Sequence, residues 1–238
     1  MKLSKYFEIG KGNSPIIFSC PHGGYKRPSR ISDKILGALN PDRNTYFIAK
    51  QILYSLKHYN VQLYYILNKI HRSKVDLNRP PRSVLAFNKS STEAKNIHRL
   101  FHDQLINFSQ ECVENYKKAL IIDFHGFTKP YNEYPEIIFG NVFGKTLNVL
   151  QNPNVEDCDK YWGCSQLHSE IAKHFTLDDG LALSDFNIAY SGGYITHQFY
   201  NVPNVNAIQL EVAKCIRMDS NLTQKFIKSL VKGILKIL

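Results

Sequence analysis

Apolar and polar positions along this chain twice deliver a histidine to the end of a buried run. Ile16-Ile17-Phe18 leads into Ser19-Cys20-Pro21-His22-Gly23-Gly24, and Ile121-Ile122 leads into Asp123-Phe124-His125-Gly126-Phe127. Short apolar runs bounded by glycine or proline read as buried strands. Successive side chains on a strand point to opposite faces, so Asp123 and His125 share a face, close enough for one to orient the other or for both to meet a metal. Gly126 is expected to let the chain turn, and the glycine pair after His22 to let backbone approach a ligand closely.

The same reading lays out alternating strands and helices. Residues 14–20 read as a strand, and Pro41-Asp42-Arg43-Asn44 opens a helix with Ile48, Ile52, Leu53, Leu56 and Tyr59 at helical spacing. Val61 to Leu67 is the next strand, after which Pro80-Pro81 leaves Asn78 and Arg79 on a loop. Ser90 and Glu93 form a capping-box pattern ahead of a long helix reaching about Lys117, with Ile97, Phe101, Leu105, Phe108, Cys112 and Tyr116 as its apolar stripe. Strands over 119–124, 136–140 and 207–212, an irregular loop over 152–163, a short helix over 165–175 and a last helix from about Asn221 complete the expectation. Such alternation argues for an α/β sheet flanked by helices, with its ligand site beyond the carboxyl ends of the strands. His22, Asn78-Arg79, His125 and Glu211 all fall at those ends.

Composition narrows the setting. At 238 residues the chain suffices for one large domain, and a single domain over 1–238 is the expectation. No run approaches the roughly 18 apolar residues of a membrane span, so no membrane association is expected. Met1-Lys2-Leu3-Ser4-Lys5 is followed by no sustained apolar region, which predicts no signal peptide and a cytoplasmic location. The five cysteines are scattered and form no CxxC pair, against a disulfide framework or a thiolate zinc site. The formal charge of +10 points to anions: a small acidic substrate, nucleic acid or an anionic surface. The lysines are spread along the chain, so charge alone does not choose among these.

The chemistry does more. Two histidines and one carboxylate make a catalytic zinc site with one position left for water, and His22 and His125 are the candidate histidines. Asp42, at a helix start, serves either as an N-cap or as the third ligand. Glu211 lies within the apolar run Ile208-Gln209-Leu210-Glu211-Val212, where burial is costly unless it is paired or lines a cavity; a general base fits, with a structural ion pair as the competing reading. Asp123 either orients a ligand histidine or is itself a ligand. Asn78 and Arg79 put an amide beside a guanidinium, suited to a substrate carboxylate, with Arg72 near enough in sequence to assist. Tyr194 and His197, beside Gly192-Gly193, are expected to line the pocket.

Two other readings compete with this one. His98 and His102 have the spacing of an HExxH zinc helix, but Arg99 stands where the glutamate belongs, so two helix-surface histidines are expected. No GxSxG, GK[ST] or GxGxxG sequence supports a serine hydrolase, a P-loop enzyme or a Rossmann dehydrogenase. The C-terminal stripe Leu222, Phe226, Ile227, Leu230, Ile234, Leu238, faced by Lys225, Lys228, Lys232 and Lys236, suits a basic protein binding nucleic acid or membrane. A helix packed on the sheet with a solvated lysine face accounts for it more simply.

Six motifs in order, Ser19-Cys20-Pro21-His22-Gly23-Gly24, Asp42-Arg43-Asn44-Thr45, Val75-Asp76-Leu77-Asn78-Arg79, Asp123-Phe124-His125-Gly126, Gly192-Gly193-Tyr194-Ile195 and Gln209-Leu210-Glu211, resemble the N-formylglutamate amidohydrolases, relatives of the zinc carboxypeptidases and aspartoacylases. The resemblance implies a three-layer, zinc-carboxypeptidase-like α/β fold whose mixed, mainly parallel sheet is flanked by helices. It implies one Zn²⁺ ion held by His22, His125 and an intervening carboxylate, a base at Glu211, and substrate-carboxylate binding by Asn78 and Arg79. Tyr25 stands where the wider superfamily's HxxE motif has its acid, so the acidic ligand role passes to Asp42. The expected activity is zinc-dependent hydrolysis of an amide bond in a small anionic N-acyl amino acid; the alternative is a peptidase acting on short peptides. No nucleic-acid partner is expected.

Overall fold

Runs that are apolar at every position become neighbouring strands, because only the middle of a covered sheet buries both faces. The computed structural model describes residues 3–149, 161–182 and 191–238. Seven strands, β1 (Phe7–Gly10), β2 (Ile16–Cys20), β3 (Tyr64–Asn68), β4 (Ala119–Phe127), β5 (Ile137–Gly140), β6 (Leu177–Asp178) and β7 (Val205–Ala213), form one sheet in the order β1-β3-β2-β4-β7-β5-β6. The pairs β2–β3, β2–β4, β4–β7 and β5–β6 are parallel, whereas β1–β3 and β5–β7 are antiparallel. This is the expected mixed, mainly parallel sheet.

Helices cover both faces. Against one face α1 (Thr45–Lys57), α3 (Cys164–Ile171) and α6 (Ser220–Ile237) pack Ile52, Leu167, Phe226 and Leu230 onto Phe18, Ile122, Phe124 and Leu210. Against the other, α2 (Thr92–Tyr116) packs Ile97, Phe101, Leu105 and Phe108 onto Ile17, Ile121 and Ala207. Two short helices, α4 (Tyr194–His197) and α5 (Lys214–Met218), flank β7.

The α2 face changes character along each central strand. Ile17 gives way to Ser19, Ala119 and Ile121 to Asp123 and His125, and Val205 and Ala207 to Gln209 and Glu211. None of these five polar side chains is more than 6% exposed. Buried polar groups need partners, so the carboxyl ends of β2, β4 and β7 form a polar chamber that the apolar face of α2 does not fill.

Several local expectations are corrected. β4 does not turn at Gly126 but continues to Phe127, and glycine is required there because a Cβ would stand 2.3 Å from the Arg217 guanidinium. The cap of α2 is Ser91, whose side chain accepts from Ala94 N, while Glu93 turns away to Tyr6 and Arg30. β3 begins at Tyr64, three residues later than expected, and the edge strand β1 was not anticipated. The loop expected over 152–163 lies outside the described residues except for 161–163. α6 buries Phe226, Ile227, Leu230 and Ile234 of its apolar stripe and exposes Lys225, Lys228, Lys232 and Lys236, with Leu238 beyond its end also exposed, which accounts for its pattern by packing. Among the described residues no helix is long and apolar enough to cross a membrane.

Candidate metal centre and its pocket

His22 in the loop after β2, Asp42 just ahead of α1 and His125 on β4 bring three ligand atoms within 4.8 Å of one another. Both imidazoles turn Nδ1 toward Asp42 Oδ2, at 3.6 Å for His22 and 3.5 Å for His125, and their rings meet edge to face at 4.8 Å. Each ring is fixed from behind by its other nitrogen. His22 Nε2 donates to Asp76 Oδ1 at 2.8 Å and His125 Nε2 donates to Asp123 Oδ2 at 2.7 Å. Asp123 is itself held by Ser19 Oγ, its register neighbour on β2.

Asp42 is not the cap of α1. Asn44 occupies that position with φ 66° and no side-chain cap, and the Asp42 carbonyl, not its carboxylate, accepts from Thr45 N. Its Oδ2 accepts from Gly126 N at 3.1 Å and its Oδ1 from Arg72 Nη1 at 3.1 Å. Arg72 Nε also donates to Asp76 Oδ2 at 2.9 Å, so this guanidinium clamps the two carboxylates together and is not a free substrate-binding group.

The donor set suits a metal ion. His22 Nδ1 is buried with no hydrogen-bond partner among the described residues, and 3.6 Å to a carboxylate oxygen is too long for a hydrogen bond. Two imidazole nitrogens and a carboxylate oxygen, with carboxylates on the outer nitrogens, make a donor set of the zinc type. The charges agree. Burial alone would lower the His125 pKa, yet Asp123, Asp42 and Glu211 hold it well above the usual imidazole value. Burial would raise Asp42, and the two histidines with Arg72 instead keep it well below the usual carboxylate value. Asp76 is likewise lowered, by His22 and Arg72 against the effect of burial.

Glu211 faces this cluster from β7. Its Oε1 accepts from Gln209 Nε2 at 2.7 Å, and its Oε2 is buried without a partner among the described residues. Burial raises its pKa, opposed by His125 and assisted by Asp42. Gln209 Oε1 in turn accepts from Gly193 N at 2.6 Å and from Asn78 Nδ2 at 3.1 Å, and Asn78 Oδ1 accepts from Ile195 N at 2.9 Å. At Gly193 a Cβ would stand 2.1 Å from Asn78 Nδ2, so only glycine allows this approach. The cluster opens into a cavity of about 510 Å³ lined by His22, Asp42, His125, Asn78, Arg79 and Glu211, among others. The Arg79 guanidinium is exposed at its edge and makes no hydrogen bond or ion pair among the described residues.

Tyr194 does not line this cavity. Its ring packs on His98 and His102 at 6.0 and 5.1 Å, and His197 is exposed. The two α2 histidines are not on the surface as expected. His98 is 2% exposed and donates through Nε2 to Arg79 O, and His102 is 7% exposed and donates to Leu77 O, so together they hold the loop carrying Asn78 and Arg79. Burial lowers both, His102 to about 3, and they pack as neutral rings. Asp76, Gln209 and Ser19 belong to the site and were not singled out from sequence. Asp76 and Gln209 each sit two positions before a residue that was.

The family model for N-formylglutamate amidohydrolase matches residues 85–218, a span that includes His125, Gly193 and Glu211 but begins after His22, Asp42, Asn78 and Arg79. Among solved structures, an N-formylglutamate amidohydrolase from Ralstonia eutropha is similar with a TM-score of 0.66 at 12% identity, over 98% of this chain and 96% of that one. A gene product from Agrobacterium tumefaciens gives 0.68 at 15% identity, over 99% and 96%. At these identities the likeness is one of fold. No curated protein matches the chain.

Proposed function

Because the chain belongs to the N-formylglutamate amidohydrolase family, we propose that residues 1–238 act as one catalytic domain that hydrolyses the amide bond of a small carboxylate-bearing N-acyl amino acid, with one zinc ion on His22, Asp42 and His125. The ion, when bound, supplies Lewis acidity that polarises the amide carbonyl and acidifies water. Asp76 and Asp123 accept from the outer nitrogens of the two histidines, which fixes both rings with Nδ1 turned toward the site. Glu211 takes a proton from the attacking water and returns it to the leaving nitrogen; its raised pKa suits both transfers. Gln209 holds one Glu211 oxygen and so leaves the other for this work.

Arg79, with Asn78 beside it, binds the carboxylate of the amino-acid half. Tyr194 acts at one remove, packing on the histidines that hold the Arg79 loop. The observation that carries this reading is the buried, partnerless Glu211 Oε2 in the same cavity as the partnerless His22 Nδ1. A panel of N-acyl glutamates, other N-acyl amino acids and short peptides, assayed with and without a chelator, tests it. Chelator-sensitive release of amino acid from an N-acyl substrate supports the reading. Cleavage of peptides alone, or no amide cleavage, overturns it.

A further inference from the structure

A second cavity, of about 610 Å³, adjoins the first, and apart from the residues the two share its lining takes no part in the mechanism above. The two share Asp42, Gly126, Phe127 and Thr128, and the second adds Tyr25, Arg43, Lys214 and Arg217. Arg217 is only 4% exposed. Its Nε donates to Val212 O at 2.9 Å, its Nη2 to Phe127 O at 3.1 Å and its Nη1 to Arg43 O. All three acceptors are neutral carbonyls, and among the described residues it pairs with no carboxylate. The contrast is Arg72, also largely buried, which has both Asp42 and Asp76. A buried guanidinium whose hydrogen bonds all go to carbonyls, with Asp42 and Glu211 acting on it only from beyond ion-pair distance, favours an anion nearby. Arg43 and Lys214 add two exposed side chains that likewise have no ion pair among the described residues. Among the described residues the only acid lining this cavity, Asp42, is already held by Arg72 and turned to the two histidines.

Resting on the amidohydrolase reading, we propose that this cavity is an anion subsite for the acyl half of the substrate, which carries a carboxylate of its own. Glu211 and Arg79 both line the first cavity, so the leaving amine and its amino acid lie there. The acyl chain then runs past Asp42 and Gly126 into the second. A formyl group has no atoms beyond its carbonyl carbon to place in that space, whereas a short diacid chain brings a carboxylate to Arg43 and Lys214 over the buried charge of Arg217. In the reaction water adds to the acyl carbon, the C–N bond breaks, and the nitrogen leaves with the proton carried by Glu211. The products are a free amino acid and a dicarboxylate.

The test measures kcat/KM on N-succinyl-, N-acetyl- and N-formylglutamate for the zinc-loaded wild type, Arg43→Ala and Lys214→Ala, with calorimetric titration of succinate into each. Both side chains are exposed, so their removal leaves the core packing intact. The expected result is a succinyl-over-acetyl preference of about tenfold or more in the wild type, a drop in that ratio of about tenfold in each variant, and a parallel loss of succinate affinity. A wild-type ratio at or below unity, or a ratio and succinate affinity unmoved in both variants, overturns the proposal. Hydrolysis of N-formylglutamate without a succinyl preference leaves the amidohydrolase reading standing and removes this one. Succinate binding that depends on Arg43 and Lys214, in a protein that cleaves no amide, keeps the anion subsite and removes the amidohydrolase reading.

Discussion

His125 and Glu211 are register partners across the parallel strands β4 and β7. Adjacent strands run about 4.8 Å apart, and residues in register direct their side chains to the same face, so this pairing sets a candidate metal ligand and a candidate base side by side on two interior strands of the sheet. Asp123 and Gln209, the register pair two positions earlier on the same face, then hold His125 and Glu211 respectively. The site is thus two alternate rungs of one ladder, completed by loops.

The first prediction concerns the base. Glu211→Gln keeps the side-chain shape and removes the proton acceptor, so kcat should fall about 10²- to 10⁴-fold while bound zinc stays at the wild-type level. Steady-state kinetics and metal analysis on the same preparation check this; retained kcat contradicts the role.

Asp76 is the second. It joins His22 to Arg72 with 1% exposure, and Asp76→Asn leaves a buried guanidinium with one fewer carboxylate. A loss of about 3–5 kcal/mol is expected from breaking such a buried pair. Zinc affinity should also fall about 10- to 100-fold as His22 loses its orientation. Chemical denaturation and zinc titration give the two numbers.

The pH dependence of the metal-free protein follows from the signs of the shifts. Asp42 and Asp76 are lowered on folding, so their contribution to stability is present above the unfolded carboxylate value of about 4 and is lost as pH falls toward their folded values. His125 is raised, so its contribution is full below the unfolded imidazole value of about 6.5 and is lost as pH rises through its folded value. Scanning calorimetry of chelated protein should therefore show stability falling below about pH 4 and also falling on the alkaline side. Zinc titrated near neutral pH in buffers of different ionisation enthalpy should release a proton, and zinc affinity should weaken as pH drops.

Gly193→Ala is the fourth. The added methyl would meet Asn78 Nδ2 and push the 192–195 segment away from Gln209. Overpacking of this kind costs about 1–3 kcal/mol. The thermal midpoint should fall, and KM should rise as Asn78 loses its place beside Arg79.

Much of this site was legible from alternation alone. The polar positions that end the α2 face, Asp123 with His125 and Gln209 with Glu211, follow from the two-residue period of a strand, and the prolines after Arg79 mark its loop. The pairing of His22 with Asp76 was not legible, because it joins two loops 54 residues apart and local pattern carries no information about that meeting. Arg217 is further still from sequence view, since its task depends on β4 running straight past Gly126 where a turn was expected. His98 and His102 were misplaced for a related reason. Helical spacing fixes that they share a face, and only the position of the Leu77–Arg79 loop makes that face a buried one.

The central claim is that His22, Asp42 and His125 hold a zinc ion that amide hydrolysis requires, and metal stoichiometry joined to activity tests it most directly. The account predicts about one zinc per chain, amide hydrolysis abolished by chelation and restored by zinc, and both metal and activity lost in His125→Ala. Full hydrolysis of an N-acyl amino acid by metal-stripped protein, or by His125→Ala without bound metal, would contradict it.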